Sequence, residues 1–225
     1  MSPSVVAPSA SCDPGRDCPG CERLVAFRTK HRATEPTWHN APVASFGPAS
    51  ARLLIVGLAP GLKGANRTGR PFTGDYAGDL LYATLLSHGF ASGSYGARPD
   101  DGLSLVDCRI TNAVRCVPPE NKPTPAEIGA CRPFLVATIA SMPRLIAILA
   151  LGRIAHDQVL TTLEARRAAY PFAHGRRHDL GRYNLYDSFH CSRYNTNTGR
   201  LSAEMFMDVF RQIRIDLDTR QAAAT

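Results

Sequence analysis

Four short, continuously apolar runs with helical patterns between them constrain the fold more than any other feature of this sequence. Each run has the length and composition of a buried strand. The runs are 52–56 (RLLIV), 105–111 (LVDCRIT), 145–150 (LIAILA) and 183–187 (YNLYD). Strands that are apolar on both faces are typical of parallel sheets, because the crossover helices cover both sides. We therefore expect an α/β protein, a three-layer α/β/α sandwich around a four-stranded, mainly parallel central sheet.

Helix signals stand between and after these runs. Thr124 is suited to an N-cap, with Pro125 at the first helical position and Glu127 completing a capping box. Apolar residues at helical spacing predict three further helices. These lie near 75–89, directly after 152, and from 202 onwards.

Length and composition predict one folded domain. The chain has 225 residues, of which 44% are hydrophobic and 20% charged, which suffices for a full core. Residues 1–17 are rich in Pro, Ser and Ala, so we expect a disordered tail there, a domain over 18–215 and a fraying end over 216–225. The first residues lack the pattern of a secretory signal, and no apolar stretch is long enough for a bilayer. These features predict a cytoplasmic protein, and we expect it to be a monomer.

The charge balance points to a polyanionic partner. There are 26 Lys and Arg residues against 19 Asp and Glu residues, a net charge of +7. All the basic residues except Lys30, Lys63 and Lys122 are arginines, whose planar guanidinium grips phosphate at two points. Nucleic acid is the first candidate and a membrane surface the second. A GC-rich genome, which favours arginine codons, accounts for the arginine bias equally well.

Three loops with unusual polar and glycine content follow three of the predicted strands. They are 57–75 (GLAPGLKGANRTGRPFTGD), 111–116 (TNAVRC) and 188–200 (SFHCSRYNTNTGR). Ligands of parallel α/β sheets bind at the carboxyl ends of the strands, so these loops predict a single site. The first of them, here called the glycine loop, has neither a P-loop nor a dinucleotide-binding pattern, which argues against a nucleotide site.

The cysteines suggest metal ligands or inert core thiols rather than disulfides, since a cytoplasmic protein is kept reduced. Cys18 and Cys21 form a C-x2-C pair, and Cys116 and Cys131 form a second pair with fourteen residues between them. Four thiolates can hold either zinc or an iron–sulfur cluster. The wide second pair favours the cluster, because structural zinc more often has two closely spaced pairs. Cys12 stays outside this set.

Three motifs, in order, resemble a known family. They are the glycine loop, 110–135 (ITNAVRCVPPENKPTPAEIGACRPFL) and 190–201 (HCSRYNTNTGRL). Together they resemble the uracil-DNA glycosylases that carry an iron–sulfur cluster, and among these the fifth family, the B type. The resemblance extends from about Cys18 to Phe210. The fourth family has an acidic residue at the position of Leu58 and a shorter glycine loop, and this sequence has neither.

The resemblance implies excision of uracil from DNA, which passes through an oxocarbenium-like sugar and a uracil anion. Asp75 is implied to lie beneath the sugar, where it positions water or offsets the positive charge. Asn112 is implied to read the base edge with its amide donor and acceptor, and His190 to donate to the base oxygen. Phe72 is implied to stack on the flipped base.

Further residues carry over from the same motifs. The resemblance implies a [4Fe-4S] cluster on the four cysteines named above and double-stranded DNA as the partner. Small groups of the first motif are implied to surround the base, namely Gly57, Ala59, Pro60 and Gly61. Contacts with the DNA backbone or minor groove are implied for Ser192, Arg193, Asn195 and Arg200. The last motif has Cys191 where the family usually has proline, which is expected to loosen the loop that carries His190.

Each implied catalytic or base-binding residue also has a purely structural interpretation. Asp75 directly precedes a helix and is suited to capping it. Asn112 can satisfy the backbone of a loop, while His190 and Phe72 can be ordinary core residues. Arg193, like other exposed arginines, can be without a partner. These alternatives stay open at the level of sequence.

The first motif also predicts a broad range of bases. Residues 57–61 offer only small or apolar groups, so we expect a wide pocket that admits hypoxanthine and other deaminated or 5-substituted bases besides uracil. Water is the expected nucleophile, because Lys63 is the one lysine in a candidate loop and the motif gives it no role. A non-catalytic iron–sulfur DNA-binding module is the alternative, and Asp75 argues against it. A small-molecule hydrolase would need a G-x-S-x-G elbow, which is absent.

Overall fold

The computed structural model of the protein describes residues 12–222. The central strands are β1 (Leu53–Gly57), β4 (Cys108–Asn112), β5 (Ala147–Leu151), β6 (Arg177–Leu180) and β7 (Tyr183–Ser188). They form one sheet in the order β4–β1–β5–β7–β6. A separate antiparallel ribbon consists of β2 (Ala91–Ser92) and β3 (Ser104–Leu105).

The four predicted strands are confirmed, and all of them pair in parallel. The sheet has a fifth strand that the sequence prediction missed, because β6 pairs antiparallel with β7 across a tight turn at Gly181. In β6 only His178 is buried, and the strand reads RHDL without an apolar run. An edge strand has one open side, so it needs no continuous apolar sequence.

Helices cover both faces of the sheet, which confirms the three-layer α/β/α architecture. On one face, Leu53 and Ile55 of β1 pack in a core that includes Leu81 and Phe210. On the other face, Leu54 and Val56 pack in a core that includes Leu135, Ile139 and Val159. The alternation along β1 sends successive side chains to opposite faces, so a continuous apolar run is what this strand requires.

Seven α-helices accompany the sheet in the described residues. The capping box at Thr124 and Glu127 is present at the start of α4. The first helix was not predicted, because it buries few residues, chiefly Leu24 and Arg28. The helices are α1 (Glu22–Thr34), α2 (Ala65–Thr68), α3 (Tyr76–Ser87), α4 (Pro125–Ala140), α5 (Arg153–Thr162), α6 (Arg193–Asn197) and α7 (Ala203–Ala222).

Both predicted tails include residues that the structure describes. In residues 12–17, the Asp13 carboxylate accepts hydrogen bonds from Arg115 Nη1 at 2.7 Å and from the Ser45 N–H at 2.9 Å. The last helix ends at Ala222, inside the segment 216–225. Residues 1–11 lie outside the described part of the chain. Within that part, none of the helices has both the length and the apolar composition that crossing a membrane requires.

Candidate active site

A cavity of about 610 Å³ opens where β1, β4 and β7 end, as the positions of the three polar loops predict. The glycine loop, the β4 loop and the loop after β7 all contribute to its lining. Nine of the residues predicted to contact substrate or DNA line it together. They are Ala59, Pro60, Gly61, Phe72, Asp75, Asn112, His190, Ser192 and Arg193.

Asp75 is held at the N-terminus of α3. Its Oδ1 accepts a hydrogen bond from the Gly78 N–H at 3.2 Å, so the capping role is present alongside a position in the cavity wall. The glycine loop closes over Oδ2, since a methyl group at Gly61 would lie 2.8 Å from that atom, and one at Gly64 would collide with it. Burial raises the pKa of Asp75, although the N–H groups of α3 counteract this. The carboxylate is therefore partly dehydrated.

Phe72 has a backbone conformation that is rare for a residue with a side chain. Its φ is +52°, in the left-handed region, and it is buried to 7% exposure. The ring is 5.8 Å from the His190 ring with an interplanar angle of 29°. Gly57 lies directly behind the ring, because a methyl group there would be 2.6 Å from Phe72 Cζ. Gly57 thus shapes the cavity from behind rather than lining it.

Asn112 is the last residue of β4 and is 2% exposed. Its Oδ1 has no hydrogen-bond partner among the described residues. A buried amide oxygen without a partner is costly, and it is usually retained where a ligand supplies the missing bond. The amide also lies against Gly57, where any side chain would collide with Oδ1. Asn112 is thus available to hydrogen-bond a ligand in the cavity.

His190 lies on the side of the cavity formed by the loop after β7. Burial lowers its pKa to about 4, so the imidazole is neutral at neutral pH. A neutral imidazole donates one hydrogen bond. The loop has hydrogen bonds of its own where the family usually has proline, and in one of them Asn195 Nδ2 donates to the His190 carbonyl at 2.8 Å. The Cys191 thiol is fully buried and donates to the Ala77 carbonyl at 3.4 Å.

The four predicted DNA contacts occupy different positions. Ser192 caps α6, and exposed Arg193 beside it lies 5.3 Å from the Tyr76 ring. Exposed Arg200 lies outside the cavity, stacked over Phe189 at 4.5 Å. Asn195, also outside the lining, has an amide engaged in holding the His190 loop. The predicted contacts of these residues with DNA stay predictions.

Two polar side chains of the cavity wall were not singled out from the sequence. Tyr76 directly follows Asp75, and this adjacency is the signal that the sequence offered. Asn121 belongs to the proline-rich segment after Cys116 and has a left-handed φ of +58°. Its position at the cavity depends on how that segment folds back, for which a single sequence gives no signal.

The four cysteines of the predicted metal centre line a second cavity, of about 270 Å³. Cys18 and Cys21 come from the segment before α1, while Cys116 follows β4 and Cys131 lies in α4. Their surroundings are apolar, and burial raises the pKa of Cys116 to about 11. We call these four residues the cysteine centre. It connects the N-terminal segment to the strand that ends in Asn112.

The spacing and the hydrogen bonds of the cysteine centre indicate whether it suits a zinc ion or an iron–sulfur cluster. In a zinc site, bonds of about 2.3 Å place the sulfur atoms about 3.8 Å apart. Within residues 12–222, no three of the four Sγ atoms lie within 4.8 Å of one another, so the set is wider than tetrahedral zinc requires. The Arg115 N–H donates to Cys131 Sγ at 3.3 Å, and Arg28 Nη1 donates to Cys116 Sγ at 3.5 Å. N–H donors to sulfur are among the features that tune iron–sulfur clusters.

Comparison with known proteins agrees with this geometry. Residues 44–214 match the family model of the uracil DNA glycosylase superfamily. A type-5 uracil-DNA glycosylase of Thermus thermophilus is 45% identical over 204 residues, which cover 88% of this chain and 92% of the relative. A type-5 enzyme of Pyrobaculum aerophilum is 38% identical over 89% of each chain, and one of Mycobacterium tuberculosis is 42% identical over 88% of this chain and 77% of its own. This chain therefore belongs to the type-5 family of the uracil DNA glycosylase superfamily.

Proposed function

We propose that this protein hydrolyses the N-glycosyl bond between uracil and deoxyribose in double-stranded DNA, with water as the nucleophile. One observation carries the proposal: a dehydrated carboxylate, an unpartnered buried amide and an aromatic ring line the same cavity. They are the groups that a base-excising site needs for the sugar, the base edge and the base face.

Asp75 serves the sugar in this proposal. The bond between C1′ and the base nitrogen breaks, and its electron pair leaves with uracil as an anion. The sugar becomes an oxocarbenium-like cation, which an ionised Asp75 stabilises at short range in a partly dehydrated site. Water then adds its oxygen to C1′, and its proton passes to the Asp75 carboxylate or to solvent.

The base side is assigned to Asn112, His190 and Phe72. The Asn112 amide pairs with the base edge, which supplies the bond that its Oδ1 lacks within the protein. His190, neutral at working pH, donates a hydrogen bond to the base oxygen on which negative charge develops. The Phe72 ring offers the flipped base an apolar face.

The range of bases is proposed to extend past uracil. The wall at Ala59, Pro60 and Gly61 carries no bulky or charged side chain that would exclude a larger base. The shape of a pocket alone discriminates between similar bases by only about 1–3 kcal/mol, so some excision of bases other than uracil is expected. We assign hypoxanthine and some 5-substituted uracils as slower substrates.

The cysteine centre is proposed to hold a [4Fe-4S] cluster with a structural role. The apolar cavity, the four thiols and their N–H donors suit such a group. Bound there, the cluster would supply cross-links between the N-terminal segment, the β4 loop and α4. The chain's own residues carry the reaction in the other cavity.

The test is incubation of purified protein with a duplex oligonucleotide that contains one uracil, followed by alkali to cleave at abasic sites. Cleavage that depends on Asp75 is expected, with slower cleavage at hypoxanthine. DNA binding without cleavage would instead support the non-catalytic module. Borohydride added during the reaction distinguishes the nucleophile: a trapped covalent adduct through Lys63, which lines the cavity, would contradict hydrolysis by water.

A further inference from the structure

The segment from Arg70 to Asp75, which carries Phe72, is anchored by a buried ion pair outside the cavity. Arg70 Nη1 and Nη2 donate to the two oxygens of Asp101 at 2.8 and 2.7 Å, and the two side chains are 5% and 2% exposed. Arg70 Nε also donates to Thr73 Oγ1 at 2.7 Å. A bidentate pair of this kind fixes geometry as well as charge.

Asp101 organises the loop that brings Tyr95 to the same segment. Its carboxylate accepts from the Gly96 N–H at 2.9 Å and from the Leu103 N–H at 3.1 Å. The Tyr95 ring stacks on the Tyr82 ring at 4.6 Å with an interplanar angle of 23°. The Arg70 guanidinium lies over both rings. Burial of Arg70 among aromatic rings thus orients the Tyr95 hydroxyl.

Two tyrosine hydroxyls contact the backbone around Phe72. The Tyr82 hydroxyl donates to the Pro71 carbonyl at 2.6 Å, and the Tyr95 hydroxyl donates to the Phe72 carbonyl at 3.4 Å. The Gly74 N–H points back at the Tyr95 hydroxyl at 3.5 Å. The peptide groups on both sides of Phe72 are therefore bonded to side chains from α3 and from the loop after β2.

A left-handed backbone at a phenylalanine persists only where the surroundings over-determine it. Phe72 has a φ of +52°, and the bonds just described join the peptide groups on both sides of it to neighbouring side chains. If they loosen, the residue gains freedom to return to an ordinary conformation, and its ring turns away from the cavity. None of these anchoring groups, Arg70, Tyr82, Tyr95 or Asp101, lines the cavity itself.

We propose that Tyr95, held by Arg70 and Asp101, is a positioning residue that sets the Phe72 ring for stacking on the flipped base. The inference rests on the proposed function, since it assumes that Phe72 stacks on the base. Tyr95 touches no substrate and acts through the Phe72 peptide. Loss of its hydroxyl should lower the rate of base excision by roughly fivefold to tenfold, the worth of about one hydrogen bond.

The experiment is a double-mutant cycle on single-turnover uracil excision with the metal-loaded protein. The four proteins are the wild type, Tyr95→Phe, Phe72→Ala and the double variant. Tyr95→Phe should slow excision in the wild-type background and have no effect in the Phe72→Ala background. An equal loss in both backgrounds would overturn the proposal, because Tyr95 would then act by a route other than Phe72.

Matched measurements separate positioning from folding and from the proposed function. Tyr186→Phe removes a hydroxyl that bonds Asp216 away from the cavity, and it should leave the excision rate unchanged. The affinity of Tyr95→Phe for undamaged duplex and its melting temperature should stay close to those of the wild type. If Phe72→Ala slows excision and Tyr95→Phe does not, this inference alone fails. If Phe72→Ala leaves the rate unchanged, the stacking role in the proposed function fails, and this inference fails with it.

Discussion

The Asp75 side chain both caps α3 and faces the candidate active site. The cap orients the carboxylate, and the glycine loop removes water from it. Asparagine at this position keeps an oxygen for the cap but lacks the negative charge. A change to asparagine therefore separates the two roles.

Asp75→Asn should lower the rate of uracil excision by at least about 100-fold, which is the usual effect of removing a group that stabilises transition-state charge. The melting temperature should change little.

The pH dependence of the excision rate gives a second check on Asp75. Since burial raises the pKa of Asp75 above its ordinary value of 3.8, and the ionised form is the active one, excision should fall as pH decreases through that raised pKa. Rates of the wild type measured from neutral pH downwards should show this acid limb. The residual activity of Asp75→Asn should lack it.

Gly57→Ala tests whether activity depends on the close packing of Asn112 and Phe72 against Gly57. The added methyl group would collide with Asn112 Oδ1 and approach Phe72 Cζ to 2.6 Å, so both side chains must move out of place. The rate of uracil excision should fall by at least about tenfold, since small displacements of reacting groups slow a reaction strongly. Gly129→Ala is the control: that residue lies in α4, its added methyl group meets no atom within 4 Å, and its activity should stay normal. Normal activity in Gly57→Ala would indicate that the base does not bind against Asn112.

At the scale of elements, helices and strands were predicted correctly where the sequence pattern follows from burial or capping within the element itself. The strand β1 is apolar because both of its faces are buried, and the capping box of α4 requires only residues three positions apart. The strand β6 and the helix α1 escaped prediction, since each buries few side chains and so shows no clear apolar pattern. Tyr95 was missed because it reaches Phe72 only through the folding of an intervening loop.

The cysteine centre joins separate elements, so removal of one thiol should lower the stability of the protein. Cys131→Ser should lose the broad absorbance near ~400 nm of a cysteine-bound cluster, together with several degrees of melting temperature, because binding and folding are coupled. Cys12→Ser is the matched control, since Cys12 lies outside the cavity of the centre and should change neither property. Elemental analysis that found zinc and no iron would contradict the cluster.

At the scale of the whole molecule, the net charge of +7 and the arginines near the cavity predict strong dependence of DNA binding on salt. Each phosphate contact contributes a slope of about −0.9 to the logarithm of affinity against the logarithm of salt concentration. Arg193→Ala should reduce the magnitude of that slope by about one contact and weaken binding to damaged and undamaged duplex alike. Binding isotherms at several salt concentrations check this. If only damaged duplex were affected, Arg193 would contact the lesion rather than the backbone.

The cysteine centre also has a consequence for synthesis of the protein, since Cys18 and Cys131 lie 113 positions apart in the chain. A ribosome adds about 5–20 residues per second, so the first pair of thiols emerges roughly 5 to 20 seconds before the last one. During that interval a nascent chain offers two sulfur ligands and no enclosing cavity. Loading of the proposed cluster would therefore wait until α4 has been made, late enough that β1 and β4 are already available to pair.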